Sequence, residues 1–464
     1  MDITASRDPA VTASRTAAGL ARRRPCSLRP GIGQPLVNWR ATSRSRHPLT
    51  TTSTSTRLLV GIATYLLLVS TSGAQPVVDM PEFDRSMTEV MSKWNIPGAS
   101  LAVAKHGKIV FAKGYGLADR ERSIAVTSQT LFRTGSINKV VTAVAVLRLV
   151  EANKMALDER ALPLLQRLRL VPERLGDERS RTITIRHLLE HSAGFDRSIS
   201  GDPFFQPLLR DVAARQRTAP VTCEAIVRDS LERKLDFTPG ERFAYSNVGY
   251  CILGKIVEAA SGQQFAALVG QEILGPSIGK GFQVGKSIES SPGEATYYPY
   301  PGEQKSVAAP GIPGLFGVPS PYGSYSIESM EALGAWISTP TDVLRFMLSI
   351  DGARSPRLLT ESSVQAMRSP PSYASGQLVV PKRYYGLGVQ VLRDGGVENW
   401  WHGGSQPGLQ TLALRTSGGW AWVVAFNSRP KTDDKQAFFS HFNRALWRAA
   451  RATSQWPTTE IKLD

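Results

Sequence analysis

Thr134-Gly135-Ser136-Ile137-Asn138-Lys139, followed by Val140-Val141-Thr142-Ala143-Val144-Ala145-Val146-Leu147, is the stretch that decides how this chain folds. The run from Val140 to Leu147 is apolar nearly all round, so it reads as a helix buried in a core. Ser136 and Lys139 are one helical turn apart, and such residues share a face. A serine hydroxyl is a weak nucleophile near neutral pH and needs a base within hydrogen-bond reach. A lysine one turn away can be that base once burial disfavours its charged form. The helix N-terminus would aim N–H groups and partial positive charge at Ser136, as a developing oxyanion requires.

The Ser-x-x-Lys pattern alone is not specific, because Ser277 to Lys280 and Ser428 to Lys431 also fit it. Both of those carry Gly or Pro and read as loops. Two later segments single out the first copy. Phe243-Ala244-Tyr245-Ser246-Asn247 places a Tyr-x-Asn at a turn-to-helix junction, and Trp401-His402-Gly403-Gly404-Ser405 places a His-x-Gly before an alternating strand, Leu409 to Arg415. Taken singly, the first is an ordinary turn or cap and the second a strand entry. The ordered set of three carries the reading.

On these motifs the chain resembles the serine β-lactamase and penicillin-binding-protein superfamily, in the branch with class C β-lactamases, D,D-carboxypeptidases, D-aminopeptidases and esterases. Ile183 to Phe195, Trp336 to Asp342 and Tyr385-Gly386-Leu387-Gly388-Val389 support the match, which spans roughly residues 85 to 450. The resemblance implies an α+β fold: an antiparallel β-sheet flanked by helices, with an inserted helical domain and the active site between the two. It implies a serine hydrolase working through an acyl-enzyme on an ester, amide or D-amino-acid peptide. Ser136 would be the nucleophile, with Lys139 and Tyr245 sharing the proton traffic. Asn247 would contact Lys139 and the substrate amide. His402, Gly403, Gly404 and Ser405 would line the substrate, with the N–H groups of Ser136 and Ser405 as oxyanion hole. No cofactor and no metal are expected. The expected partner is a small-molecule or peptide substrate, peptidoglycan-derived peptides among them.

His402 is the main departure, since β-lactamases proper usually carry lysine there. A histidine is only partly charged near neutrality. Ester or D-peptide hydrolysis is therefore expected to outrun β-lactam hydrolysis, with any preference for carboxylate substrates fading as pH rises through about 6 to 7. A true β-lactamase and a non-catalytic penicillin-binding sensor are the alternatives. A zinc reading is also open: His187-Leu188-Leu189-Glu190-His191 fits His-x-x-Glu-His, with Glu258 as a third ligand.

At 464 residues the chain can bury a large core. Its formal charge is +16. Residues 1–57 hold ten arginines against two aspartates, half of that excess. No basic cluster marks the folded segments, so nucleic-acid binding is not expected. Arg57 precedes twelve apolar residues, 58–69, then Ser70-Thr71-Ser72-Gly73-Ala74. Twelve residues are too few to span a bilayer and match a secretory signal. The expected division is a leader over 1–74 and a hydrolase domain over 75–464, exported and without a stable membrane span. Of three cysteines, Cys26 lies in the leader. Cys223 and Cys251 could pair, but Cys251 sits in an apolar helical pattern and reads more simply as a small buried thiol.

The pattern predicts a helix from Pro81 to Lys93 and a hairpin, Ala99 to Lys105 with Lys108 to Tyr115. Helices follow over 162–168, 185–191, 223–234, 249–260 and 265–274. Residues 284–328, rich in Gly, Pro, Ser and Tyr, read as an irregular insertion that walls the substrate cleft. Its Tyr297, Tyr298, Tyr300 and Tyr322 would either bind an aryl or sugar group or pack the loop down. Helices return at 331–336 and 341–349. Strands over 385–392, 410–415 and 420–427 and a helix over 436–450 close the pattern. First and last strands suggest one sheet built from both ends.

Overall fold

The computed structural model describes residues 79–461, apart from 276, 304, 313–316 and 375–380. The predicted signal segment 58–69 and the cleavage point after Ala74 lie outside these residues. The strands in chain order are β1 (Gly98–Lys105), β2 (Lys108–Asp119), β3 (Ile124–Ala125), β4 (Phe132–Arg133), β5 (Gln283–Val284), β6 (Trp336–Ser338), β7 (Arg383–Tyr385), β8 (Gln390–Asp394), β9 (Val397–Gln406), β10 (Leu409–Thr416) and β11 (Trp420–Phe426). Eight of them form one sheet in the order β3-β2-β1-β11-β10-β9-β8-β7, and β4, β6 and β5 form a small second sheet. Neighbouring strands in both run antiparallel. The large sheet is joined at its middle by the first and last strands, with Ala99 opposite Phe426 and Lys105 opposite Trp420.

The helices are α1 (Pro81–Trp94), α2 (Asn138–Glu151), α3 (Ala161–Arg167), α4 (Ile185–Leu189), α5 (Leu208–Gln216), α6 (Cys223–Leu231), α7 (Asn247–Ser261), α8 (Phe265–Leu268), α9 (Pro340–Ile350), α10 (Glu361–Arg368) and α11 (Lys435–Ala452). Successive strand residues point to opposite faces, and β1 shows it. Leu101 and Val103 pack with Phe83 and Met87 of α1 and with Phe438 and Phe442 of α11. Ala102 and Ala104 pack on the other face in the cluster that holds α2, α7 and α9. The small alanines let α9 approach the sheet closely. Residues Val140 to Leu147 are buried without exception, as the apolar run requires.

Three expectations need correction. The predicted helix over 331–336 is instead a turn leading into β6. Trp336 donates its N–H to Asn138 Oδ1 and accepts from the Thr134 N–H, so tertiary pairing overrides the local apolar pattern. The predicted strand over 385–392 is broken into β7 and β8 at Gly388, whose φ is +83° and where a Cβ would lie 2.4 Å from that of Ala143. The His-x-Gly does precede a strand, β10, as expected, but His402 itself also lies in a strand, β9, which had not been expected. Finally, Cys223 and Cys251 are bonded to each other, their Cα atoms 5.8 Å apart. The burial expected of Cys251 is correct, but Cys223 at the head of α6 is packed against it. Helices α5 and α10 had not been expected.

The insertion does not wall the cleft with any described residue. It is pinned from below by Arg133 of β4, a guanidinium with no exposure at all. Arg133 pairs with Glu294 at 3.4 Å, donates to the Pro321 carbonyl and the Tyr325 hydroxyl, and lies over the rings of Tyr297 and Tyr322. Tyr297 and Tyr322 thus pack the loop down. Tyr298 donates its hydroxyl to Glu121 in the turn between β2 and β3.

Candidate active site

Gly135 opens the nucleophile segment with φ +55°, a left-handed conformation that glycine adopts at least cost. A single 3₁₀ turn, Gly135–Ile137, then leads into α2. Ser136 is half-buried on this turn, and Lys139, in the first turn of α2, has no exposure. Strand β9 runs beside the turn. A Cβ on Gly404 would stand 3.1 Å from the Ser136 nitrogen and 2.3 Å from the Thr134 carbonyl, so only glycine allows this approach. The Thr411 hydroxyl on β10 donates to that same carbonyl at 3.0 Å. The predicted oxyanion pair, the nitrogens of Ser136 and Ser405, therefore lies on two segments held in contact. The other two copies of Ser-x-x-Lys are in turns and loops outside this cleft.

Ser246 caps α7 by accepting the Gly249 N–H, which sets Tyr245 just before the helix and Asn247 at its first position. All the predicted site residues then meet. Lys139 Nζ donates to Ser136 Oγ at 3.3 Å, to Asn247 Oδ1 at 2.8 Å and to the Leu333 carbonyl at 3.2 Å. It lies 4.9 Å from the centre of the Tyr245 ring. Ser136, Tyr245, Asn247, His402, Gly404 and Ser405 line one cleft of about 460 Å³. Burial lowers the Lys139 pKa to about 7, aided by Arg197 and opposed by Asp202. Burial raises the Tyr245 phenol, with the Ser136 hydroxyl and Arg197 pulling the other way. Of the two candidate bases, Lys139 is the one that loses its proton near neutrality.

His402 departs from its expected behaviour. Its Nδ1 lies 2.7 Å from the Gly403 carbonyl, which can only accept, so Nδ1 carries the proton. Nε2 is then the acceptor, and Tyr385 donates to it at 2.9 Å. Both nitrogens are occupied within the protein. Burial, reinforced by Lys139, lowers the pKa to about 3. The imidazole is neutral across the working range. A carboxylate preference that fades between pH 6 and 7 therefore has no origin in His402, and that expectation is withdrawn.

The His-x-x-Glu-His residues face three different partners. His187 Nδ1 accepts from Thr184 N–H in the cap of α4, Glu190 accepts from Ser372, and His191 Nδ1 accepts from Ser246 N–H. Helix α4 ends at Leu189 and His191 has φ 59°, so the shared helical face that a metal pair needs does not exist. His191 instead lies under the cleft, its ring 4.3 Å from that of Tyr245 and 4.6 Å from that of Tyr385. Sequence reasoning missed three neighbours: Asp202, which takes the Asn247 amide at 2.7 Å; Arg197, over the Tyr245 ring at 4.7 Å; and the role of Tyr385. Tyr385 stands in a segment quoted above for its resemblance. Asp202 and Arg197 lie in a loop with no local signature.

A family model described as Beta-lactamase matches residues 83–443. Protein flp of Staphylococcus aureus (strain NCTC 8325 / PS 47) is 24% identical over 295 residues, 64% of this chain and 55% of that protein. Esterase EstB of Burkholderia gladioli is 32% identical over 205 residues, 42% of this chain and 48% of that protein. The chain thus spans about half the length of the curated relatives it matches. Among solved structures, the D-amino acid amidase of Ochrobactrum anthropi SV3 complexed with L-phenylalanine amide superposes with a TM-score of 0.61 at 21% identity, covering 80% of this chain and 97% of that one. At that identity the likeness concerns the fold.

Proposed function

The chain belongs to the beta-lactamase family, and from that premise we propose that it is a serine hydrolase that forms an acyl-enzyme on Ser136. The observation that carries this reading is the placement of Lys139, buried, within reach of both Ser136 Oγ and Asn247 Oδ1, and titrating near 7. Neutral Lys139 takes the proton as Ser136 Oγ attacks a substrate carbonyl. The N–H groups of Ser136 and Ser405 receive the negative charge of the tetrahedral intermediate. The Tyr245 phenol, held protonated, relays a proton to the leaving group. Water then enters by the same route and releases the acid, restoring Ser136.

The substrate is an ester, an amide or a D-amino-acid peptide rather than a β-lactam. Neutral His402 offers no charge to the carboxylate of a penicillin, and the 32% identity to an esterase favours the same side. Peptidoglycan-derived peptides belong to this class. We further propose that the protein is exported and mature from about Gln75. The bonded Cys223 and Cys251 support an oxidising compartment. Among the described residues no helix is long and apolar enough to cross a membrane.

The test is reaction with a fluorophosphonate followed by peptide mass mapping, together with p-nitrophenyl ester turnover. The adduct is expected on Ser136, and Ser136→Ala should lose on the order of 10⁴-fold in kcat. An adduct elsewhere, or full activity in Ser136→Ala, would sink the assignment. Labelling without turnover on any ester, amide, D-peptide or nitrocefin would favour a sensor.

A further inference from the structure

Lys139 has one amide partner, Asn247, and an amide side chain is useful to a base in only one of its two orientations. With Oδ1 toward Lys139, it accepts from the ammonium and leaves the amine in place when the proton departs. With Nδ2 toward Lys139, two donors would face each other. Nothing on α7 fixes the choice. The loop before α5 does: Asn247 Nδ2 donates to Asp202 Oδ2 at 2.7 Å, while the other carboxylate oxygen accepts the Phe204 N–H at 3.2 Å. A carboxylate can only accept, so it selects the rotamer with Oδ1 on Lys139.

We propose that Asp202 is a positioning residue of the acylation step, holding the Asn247 amide with its carbonyl oxygen toward Lys139. This inference rests on the acyl-transfer reading above. The loop that carries Asp202 is tied down from several sides. Asp236 accepts from the Asp196 N–H at 2.7 Å and from the Ser200 hydroxyl at 2.8 Å, and Arg242 donates to Asp196 at 2.8 Å. Gly201, at φ +82°, turns the chain so that Asp202 faces α7.

Asp202 acts on Lys139 in a second way, through charge. The groups facing Lys139 are Asp202, Arg197, Tyr245, Tyr250, His191 and His402. Asp202 is the carboxylate among them. It favours the ammonium, whereas burial and Arg197 oppose it. Without Asp202, Lys139 would lose its proton at still lower pH. It would then be a weaker base when neutral, and its partner amide would be free to turn.

The experiment is the pH profile of kcat/KM for a neutral p-nitrophenyl ester in wild type, Asp202→Asn and Asp202→Glu, with the rate of fluorophosphonate labelling measured alongside. Asp202→Asn should lose about ten-fold to a hundred-fold in kcat and in labelling rate. Its acid limb should move to lower pH. Asp202→Glu, which keeps the charge and the acceptor, should keep the wild-type limb. A purely structural residue would lower melting temperature and amplitude together and leave the limb where it was. If Asp202→Asn does not fold, Asp202→Ser keeps an acceptor without the charge and should show the same displacement. Wild-type labelling on Ser136 with an unmoved limb in the folded neutral variant would overturn this inference alone. Absence of Ser136 labelling in the wild type would overturn the acyl-transfer reading itself.

Discussion

At the scale of single residues, burial lowers the pKa of two basic groups of the cleft, Lys139 and His402, to different extents. Lys139 titrates near 7, so it is neutral over part of the working range. The rate should rise with pH through about 7 and be lost at low pH, where Lys139 is charged. Lys139→Arg, which cannot become neutral, should remove the rate across pH 5 to 9, and a residual bell of wild-type height would contradict the role. His402 has its pKa near 3 in the fold against about 6.5 in an unfolded chain. The sign follows: above 6.5 both states are neutral, and below it the unfolded state binds a proton that the folded state refuses. Stability is therefore full above about 6.5 and falls toward pH 3, by about 1.4 kcal/mol per pH unit for this one group. His191, depressed by burial in the same sense, adds to the slope. Urea unfolding at pH 7 and pH 5 would measure it, with a shallower slope expected in His402→Gln. Ser136, Lys139, Tyr245 and Asn247 were legible because each sits in a short local motif at the start of a helix. Asp202 was not, since it meets Asn247 only where a loop folds back on α7 across 45 residues. The charge state of His402 was not legible either: it depends on burial in the fold and on the nearness of Lys139, and a sequence reveals neither.

Elements are held to one another by two devices. The bond between Cys223 and Cys251 joins α6 to α7, the helix that presents Asn247. Closing a loop of that length restricts the unfolded chain by roughly 3–4 kcal/mol. A Cys223→Ser/Cys251→Ser variant should lose about that much, read from denaturant unfolding of the oxidised wild type and the variant. No difference would mean that the link is not formed in solution. The second device is Arg133, which fastens the irregular insertion to β4, three residues before Ser136. Arg133→Met strands Glu294 without its partner and should cost about 3–5 kcal/mol. The double change with Glu294→Gln should restore part of it, which differential scanning calorimetry can check. Composition marked the insertion as irregular, but its anchor was invisible because an arginine is expected at the surface.

Across the whole described domain, the sheet depends on both ends of its sequence. Strands β1 and β11 are hydrogen-bonded neighbours more than 300 residues apart, and α1 and α11 cover the same face of the sheet. The alternating first and last segments made this legible, because neither hairpin alone can bury its apolar face. The order β11-β10-β9-β8-β7 was legible only in part, since no strand was assigned over His402's own segment, β9. A chain stopped after residue 430 would lack α11 and leave Phe83, Phe111 and Trp422 uncovered. It should fail to give a cooperative thermal transition, and one with the full melting temperature would show that α11 is dispensable.

The same joint sets a timetable. A ribosome delivers β1 and β2 early, but the strand that seats against β1 emerges only when nearly all of the domain has been made. Until then the nascent polypeptide has no finished sheet. Were the protein exported as proposed, and unfolded, that delay would help, because the sheet cannot be completed until β11 has emerged on the same side as β1.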